Sequence, residues 1–466
     1  MRLGLPSQIP LKKEASNMIH KYQLLGQRVV LDVYSGAIHL LSPPAFALLD
    51  FLTPPLTELM PENIPASIPD FSGAELNEAY RELYELYNSG ELYSEDGYNL
   101  FADKLIPSPV KALCLNIAHD CNLRCAYCFA GDGDYGGRAL MSVQTGKKAI
   151  DYLIAASGER EDLEVDFFGG EPLINFETVR SVVNYARSLE KSRNKRFRFT
   201  ITTNGLALTD EITGYINREM HNVVLSLDGR REVNDRLRKR LDGSGCFDAV
   251  LPKFQKLVAE REGEYYLRGT FTRYNLDFSD DVFELYRLGF DQVSVEPVVA
   301  PSEQPYALTE ADLPAIFAEY ERLAERMLSD YRSGGSLNFF HYMLDLEQGP
   351  CAIKRLRGCG SGNEYLAITP EGDVYPCHQF VGMPEWKMGS VWDGSLDLNK
   401  KASFAACTVY HKPECVDCWA KYYCSGGCNA NNYSYRGDVL APHTLSCALE
   451  KKRLECAIAL KACKMT

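Results

Sequence analysis

Short apolar runs alternate with amphipathic stretches through the middle of the chain. The runs have the length of buried strands, and the stretches between them repeat apolar residues at helical spacing. The predicted strands are 112–119, 164–169, 198–204, 223–228, 265–272 and 292–298, and the predicted helices are 142–157, 176–191, 210–219, 247–261 and 279–288. Such alternation indicates an α/β fold with a parallel sheet and right-handed crossovers. Six units over 107–301 are too few to close an eight-stranded barrel, so we expect a partial (β/α)6 TIM barrel.

The two flanks of this region have different patterns. Before it, apolar strands at 27–33 and 37–41 are joined by Tyr34-Ser35-Gly36, which predicts a hairpin, and helices are expected at 44–52 and 72–88. Hairpin and helices together predict a winged-helix-like domain over 18–100. After it, a long helix at 309–333 forms a bridging helical region (302–350), and a cysteine-dense domain follows over 351–466.

Composition narrows the class of protein. The chain has 466 residues and a formal net charge of −13, so a nucleic-acid-binding surface is not expected to dominate. It contains no apolar run long enough for a membrane span, and its polar first residues are unlike a secretory signal. Sixteen cysteines in such a chain indicate metal sites rather than disulfides, which places the protein in a reducing compartment, most simply the cytoplasm.

Three cysteines directly follow the first predicted strand. Cys121, Cys125 and Cys128 lie within eight residues, and thiolates are the usual ligands of iron–sulfur clusters. Three thiolates leave one iron of a four-iron cubane open to a small molecule. The alternative is a zinc knuckle, but no fourth ligand lies at zinc-site spacing, since His119 is too close to Cys121.

Polar residues mark the ends of the next strands, where the chemistry of a β/α barrel is located. Gly169 and Gly170 allow a close approach of the backbone to a ligand, and Glu171 could accept a hydrogen bond from an ammonium group. Thr203 and Ser226 stand at two further ends, although either could simply cap a helix. Asn204 and Asp228 occupy similar positions, and the guanidinium of Arg268, on the fifth strand, could pair with a carboxylate.

The cysteine-dense region has specific spacings. Its seven spaced cysteines are Cys359, Cys377, Cys415, Cys418, Cys424, Cys428 and Cys447. A zinc ribbon could be built from the four at 415–428, which is an alternative to iron–sulfur clusters. Cys351 lies eight residues before Cys359 and is a further candidate ligand.

These motifs together resemble the radical S-adenosylmethionine (SAM) superfamily with a C-terminal SPASM domain. The resemblance implies three [4Fe-4S] clusters, of which the one on Cys121, Cys125 and Cys128 binds and cleaves SAM. It implies an auxiliary cluster I on Cys359, Cys377 and Cys428, and an auxiliary cluster II on Cys415, Cys418, Cys424 and Cys447. The fourth position of cluster I is then either Cys351 or open to a substrate sulfur. The implied SAM contacts are Tyr127, Gly169, Gly170, Glu171, Pro172, Thr203, Asn204, Ser226, Asp228 and Arg268.

Longer segments are similar to the maturases of peptides with six cysteines in forty-five residues (SCIFF). These segments are 165–172, 268–272, 294–298 and 375–380. The resemblance implies thioether formation between a cysteine sulfur and a carbon of another residue, typically threonine, in a ribosomally made peptide. It also implies that the N-terminal domain binds a leader peptide as an added strand, and that a flavodoxin or ferredoxin donates electrons.

Two other functions remain open. One is oxidation of a cysteine or serine to formylglycine, as in sulfatase maturases, whose second SPASM cysteine is followed by an aspartate base. Here that position is His378, which counts against this function and makes His378 the candidate catalytic residue. The other is a non-catalytic electron-transfer protein with several clusters, which would need neither the Gly169–Pro172 segment nor a partial barrel.

Overall fold

The computed structural model describes residues 18–102, 107–344, 346 and 352–465. Its N-terminal part is a three-stranded antiparallel sheet covered by helices. The elements are β1 (Ile19–Leu24), β2 (Gln27–Asp32), β3 (Ile38–Leu40), α1 (Pro43–Leu48), α2 (Ile64–Ser67), α3 (Gly73–Asn88) and α4 (Asn99–Ala102). Helix α3 begins at a capping box of Ser72 and Glu75 and packs its apolar face into the same core as α1.

Strand pairing in this part differs in one respect from the expected hairpin. β1 was not predicted, because its apolar residues are interrupted by His20, Lys21 and Gln23. It pairs with β2, which therefore lies in the centre of the sheet, and only β3 forms the edge beyond it. β1 forms the other edge, so of the predicted hairpin only Ile38–Leu40 lies at an edge of the sheet.

The middle of the chain forms the predicted parallel sheet. Its elements are β4 (Ala112–His119), β5 (Leu123–Cys125), β6 (Ala139–Leu140), α5 (Val143–Ala156), β7 (Asp162–Gly169), α6 (Phe176–Arg193), β8 (Arg196–Thr203), α7 (Asp210–Glu219), β9 (Asn222–Ser226), α8 (Arg231–Leu237), β10 (Arg238–Arg240), α9 (Phe247–Ala259), β11 (Glu264–Phe271), α10 (Phe278–Arg287), β12 (Gln292–Pro297), α11 (Leu313–Arg332) and β13 (Asn338–Phe339). The order β4-β7-β8-β9-β11-β12 is parallel throughout.

The sheet is open rather than closed, as expected for a partial barrel. Within the described residues it runs from β13 at one edge to the C-terminal strands at the other. Leu113, Leu115 and Ile117 of β4 belong to the core between sheet and outer helices, whereas Cys114 belongs to a separate core with the C-terminal region. This alternation turns every second residue of β4 towards the barrel interior.

The C-terminal region extends the same sheet. Its elements are α12 (Ala352–Arg357), β14 (Tyr365–Ile368), β15 (Asp373–Tyr375), β16 (Gly389–Ser390), β17 (Ser395–Leu396), α13 (Leu398–Ala405), α14 (Pro413–Val416), α15 (Lys421–Cys424), α16 (Asn429–Arg436) and α17 (Thr444–Met465). β14 adds to β4 in parallel, and β15 to β17 continue it as antiparallel strands. Helix α17 packs against α11 and the N-terminal sheet. None of the described helices has the length and apolarity needed to cross a membrane.

Candidate active site

Three cysteines surround one side of a cavity at the carboxyl end of the sheet. Cys121, Cys125 and Cys128 are half-buried and line this cavity, which has a volume of about 250 Å³. Burial raises the pKa of Cys121 to about 11 and that of Cys125 to about 12, and the nearby Arg238 opposes both rises. The free thiols are therefore protonated at neutral pH, and a metal must displace these protons to bind.

The sequence-predicted ligand contacts meet at this same cavity, which we call the SAM cavity. Its lining includes Tyr127, Gly169, Gly170, Glu171, Thr203, Asn204, Ser226, Arg268 and His378. Two predicted contacts lie outside the lining. Pro172 is buried and begins a short 3-10 turn, and Asp228 lies behind Tyr127. Position alone does not assign a separate role to each of these residues, so their individual roles stay predictions.

The two glycines bring the backbone of β7 against the cysteine loop. A side chain on Gly169, whose φ is +122°, would have its Cβ 2.3 Å from the carbonyl oxygen of Ala118. On Gly170 it would lie 2.2 Å from the carbonyl oxygen of Asp120. The Gly170 N–H donates to Ala118 O at 2.7 Å, so the two strand ends are tied together. Only glycine fits at either position.

Glu171 connects the end of β7 to the end of β8. Its side chain is only 1% exposed. Oε1 accepts hydrogen bonds from the Thr203 hydroxyl at 2.8 Å and the Leu173 N–H at 3.0 Å, and Oε2 accepts one from the Asn204 N–H at 2.8 Å. Burial raises the pKa of this carboxyl, and these three donors oppose the rise. Since an oxygen accepts two hydrogen bonds, Oε2 has one position left for a ligand.

A buried charged group supports Tyr127. The Tyr127 hydroxyl donates to the Asp228 carboxylate at 2.7 Å and accepts from Arg238 Nη1 at 2.9 Å. Asp228 also accepts from the Thr270 N–H at 3.1 Å. Arg238 was not predicted, because nothing in a run of charged residues marks one of them as buried. It becomes so because β10 pairs with β5, which sets Arg238 opposite Cys125.

The cysteines of the C-terminal region form two groups. Cys415, Cys418, Cys424 and Cys447 line one cavity of about 530 Å³. Cys359 and Cys428 open onto another of about 570 Å³, which we call the junction cavity, because it shares Glu296, Pro297, Val298, Val299 and Asn431 with the SAM cavity. Cys377 is buried, and the charges of Cys428 and Cys359 contribute to raising the pKa of its thiol, after burial itself. Cys424 and Cys447 line the junction cavity as well, so the two groups overlap, and the assignment of each cysteine to cluster I or cluster II stays a prediction; Cys351 lies outside the described residues.

The described residues form no ready-made site for a single metal ion. Among the residues that the structure describes, no three histidine, cysteine or acidic side chains converge closely enough to hold one metal ion. Ligands of a cubane stand further apart, because each thiolate binds a different iron. A tetrahedral zinc site would require the thiols to meet at one point.

Comparison with known proteins agrees with this arrangement. The model of the radical SAM superfamily matches residues 115–261, and the model of the SPASM iron–sulfur cluster-binding domain matches residues 359–419. The chain contains a radical SAM domain and a SPASM domain. Both are of types that bind iron–sulfur clusters, and the first also binds SAM.

Relatives of this chain include enzymes with different products. A cysteine-type anaerobic sulfatase-maturating enzyme of Clostridium novyi (strain NT) is 24% identical over 67% of this chain and 86% of its own length. The radical SAM cyclopropyl synthase TigE of Paramaledivibacter caminithermalis is 21% identical over 81% of this chain and 82% of its own. At this identity the relatives do not distinguish between reactions.

Solved structures show the same fold. Native anSMEcpe with bound AdoMet has a TM-score of 0.65 at 19% identity, and covers 76% of this chain and 99% of its own. SuiB of Streptococcus suis, bound to its precursor peptide SuiA, has a TM-score of 0.51 at 16% identity and covers 92% of this chain and 99% of its own. The partial barrel and the C-terminal SPASM domain are thus confirmed.

A network of charges that sequence reasoning missed joins the radical SAM domain to the SPASM domain. Arg268 pairs with Glu296 at 2.8 Å, and Glu296 lies 3.9 Å from His341. His341 in turn contacts Arg453 of α17 at 3.1 Å, and Arg453 pairs with Glu450. Glu296 could have been suspected, since it ends β12 as the other polar residues end their strands. Arg453 carries no such signal, because its place depends on how α17 packs.

His378 lies where the SPASM domain faces the SAM cavity. Its ring centroid is 4.8 Å from that of Phe168 and 5.6 Å from that of Phe129, and its Nδ1 lies 3.4 Å from the Tyr365 hydroxyl. Burial lowers the pKa of His378 to about 4. At neutral pH the imidazole is therefore uncharged and a weak base. Its position beside the SAM cavity agrees with a catalytic role, whereas its low basicity does not.

Proposed function

We propose that this chain is a radical SAM maturase that joins a cysteine sulfur to a carbon of another residue, typically threonine, in a ribosomally made peptide. One observation carries the proposal: the SAM cavity and the junction cavity share a wall, so Cys359 and Cys428 of the proposed auxiliary cluster I open towards the radical site. A peptide in the junction cavity could present one residue to the radical site and another to the proposed cluster I. Thioether formation needs both, a carbon radical and an activated sulfur next to it.

The residues of the chain divide this work. The bound cofactors supply the radical that removes one hydrogen atom and accept the electron left when the carbon–sulfur bond forms. Gly169, Gly170 and Glu171 would hold SAM, and Arg268, which pairs with Glu296 in this structure, would pair with the SAM carboxylate. We further propose that the position beside Cys359, Cys377 and Cys428 is open to the substrate thiolate, with Cys351 as the alternative ligand. His378 positions the peptide, since its low pKa makes it a poor acceptor for a thiol proton.

Product analysis tests this function. The reconstituted, reduced protein is mixed with SAM and a cysteine-rich precursor peptide. We expect 5′-deoxyadenosine and a peptide that has lost two hydrogen atoms, kept its sulfur and no longer reacts with a thiol-alkylating reagent. Formylglycine formation would instead remove the cysteine sulfur and leave an aldehyde, and the sulfatase-maturating relative makes this the second candidate. An electron-transfer protein would release no deoxyadenosine.

The N-terminal sheet is the proposed leader-binding site. SuiB, whose fold this chain shares, binds its precursor peptide SuiA, which supports a peptide partner for this chain as well. Asp32 N donates to Ala37 O, and Leu41 N donates to Arg28 O, so the alternate amides of Ile38 and Leu40 face away from β2. A leader could pair with this edge.

Leu40→Pro should therefore weaken peptide binding, because proline removes an outward amide donor, whereas Leu40→Ala keeps the amide and should bind normally. Equal affinity of both variants would contradict the leader site. A flavodoxin- or ferredoxin-type donor, a cytoplasmic location and the domain division 18–100, 107–301, 302–350 and 351–466 belong to the same proposal.

A further inference from the structure

A lysine is buried between the two cysteine groups of the SPASM domain. Lys412 is only 1% exposed. Its ammonium donates to Gly426 O at 2.7 Å and to Asn429 Oδ1 at 2.9 Å, which are both neutral acceptors. It forms no salt bridge within the part of the chain that the structure describes. A buried ammonium held only by neutral groups is costly, so an anion close to it is expected.

The position of Lys412 identifies that anion. Of its two acceptors, Gly426 lies in the segment between Cys424 of the proposed cluster II and Cys428 of the proposed cluster I, and Asn429 directly follows Cys428. Its own carbonyl accepts from the N–H of Cys415 at 2.8 Å. Gly426 has a φ of +81°, and a Cβ there would lie 2.8 Å from Lys412 Cδ. The segment therefore uses glycine where the lysine side chain passes it.

The charge of Lys412 reaches one candidate ligand of each cluster. Burial raises the pKa of Cys415 to about 12, and Lys412 opposes that rise. Cys428 opens onto the junction cavity, yet enough protein surrounds it to raise the pKa of its thiol, and Lys412 again opposes the rise. Both clusters would thus lie within the electrostatic reach of a single cation.

We propose that Lys412 is a positioning residue whose buried positive charge offsets both auxiliary clusters and raises their reduction potentials. A thiolate-ligated cluster is anionic and becomes more so on reduction, and a cation held in a low dielectric stabilises the reduced form most. The electron released in the proposed reaction is then accepted more readily. The inference rests on the proposed auxiliary clusters but not on thioether formation.

Redox titration followed by electron paramagnetic resonance tests the inference. The titration uses the full chain with Cys121, Cys125 and Cys128 replaced by alanine, so that only the auxiliary clusters respond. Lys412→Met should shift both midpoint potentials to lower values, and Lys412→Arg should restore them. The matched control is Lys401→Met. Lys401 is another buried lysine that donates to backbone carbonyls, those of Ser108 and Asn363, but its electrostatic neighbours are Glu364 and Arg357 rather than cysteines.

A second variant covers the case in which Lys412→Met does not retain its clusters. Asn429→Asp sets a carboxylate against the ammonium and cancels its charge in place, so it should lower the potentials as well. Unchanged midpoint potentials in Lys412→Met or in Asn429→Asp, measured on protein that has kept its clusters, overturn the inference. So does a shift of equal size in Lys401→Met, because it would reflect general loosening of the domain. If the triple-alanine protein with native Lys412 holds no auxiliary clusters, both the proposed cofactors and this inference are refuted. If it holds them and the Lys412 variants leave their midpoint potentials unchanged, only the role of Lys412 is refuted.

Discussion

Replacing Glu171 with glutamine tests the organisation of the SAM cavity most directly. The amide has nearly the same shape as the carboxylate but replaces one oxygen with an NH2 group. That group faces the N–H of Leu173 in one orientation and the N–H of Asn204 in the other. Either way, a buried backbone donor loses its acceptor, which should lower the free energy of unfolding by about 1–3 kcal/mol.

SAM binding should fall by more than this local loosening explains. Oε2 has one free acceptor position, and a hydrogen bond from an ammonium to a carboxylate contributes about 1.5–3 kcal/mol, equivalent to roughly 10- to 150-fold in Kd. The assay is anaerobic calorimetric titration of SAM into Glu171→Gln with its iron content verified, alongside thermal unfolding. Glu177→Gln is the matched control, since Glu177 is exposed in the first turn of α6 and should leave both quantities unchanged. An unaltered Kd in folded, iron-loaded Glu171→Gln would refute the proposed ammonium contact.

Three further predictions concern the same domain. Replacing its three cluster cysteines by alanine should abolish 5′-deoxyadenosine formation yet leave about eight irons, measured by iron analysis; retained cleavage would contradict the assignment. Tyr127→Phe should lower the free energy of unfolding by about 1–3 kcal/mol in chemical denaturation, because buried Asp228 loses a donor; unchanged stability would mean that solvent replaces it. Burial raises the pKa of Asp166 to about 7, so ionising this carboxyl costs stability as pH rises from about 4 to 7, at about 1.4 kcal/mol per pKa unit. Asp166→Asn, which cannot ionise, should therefore raise the melting temperature more at pH 8 than at pH 5, and equal gains would place Asp166 in contact with water.

The barrel could be predicted from the sequence because each of its strands and helices is marked by the residue pattern of a short stretch of chain. All six central strands were found with their ends within two residues, because β4 is buried along its whole length and apolar residues recur at strand spacing in the others. Most of the glycines and polar residues predicted at the strand ends line one cavity, and their contacts with SAM stay predictions. β1 was not predicted, because half of its residues are polar. In a small sheet that is covered on one face, a strand needs an apolar residue only at every second position.

Contacts between distant parts of the chain were beyond local patterns. The pairing of β14 with β4 joins residues that lie more than two hundred positions apart, and no periodicity in either strand indicates it. Likewise, Arg238, Arg453 and Lys412 read as ordinary surface charges, since charged residues are almost never fully buried unless they are paired. Their burial follows from tertiary packing alone. The cysteine spacings did indicate the radical SAM domain and the SPASM domain, because metal ligands close together in sequence carry their chemistry in their spacing.

Two of the buried cations that were missed, Arg238 and Lys412, both lie beside cysteine thiols, and this gives the two a common physical reason. The chain carries a net charge of −13, yet Arg238 is buried beside the thiols of the radical SAM domain and Lys412 between those of the SPASM domain. Arg238 opposes the rise in pKa of Cys121, Cys125 and Cys128, as Lys412 does for Cys415 and Cys428. A cation next to a thiol favours the thiolate, the form that binds iron, and afterwards offsets the charge of the assembled cluster. The same side chain can thus assist cluster assembly and stabilise the reduced cluster, which explains why the fold tolerates an expensive charge at these places.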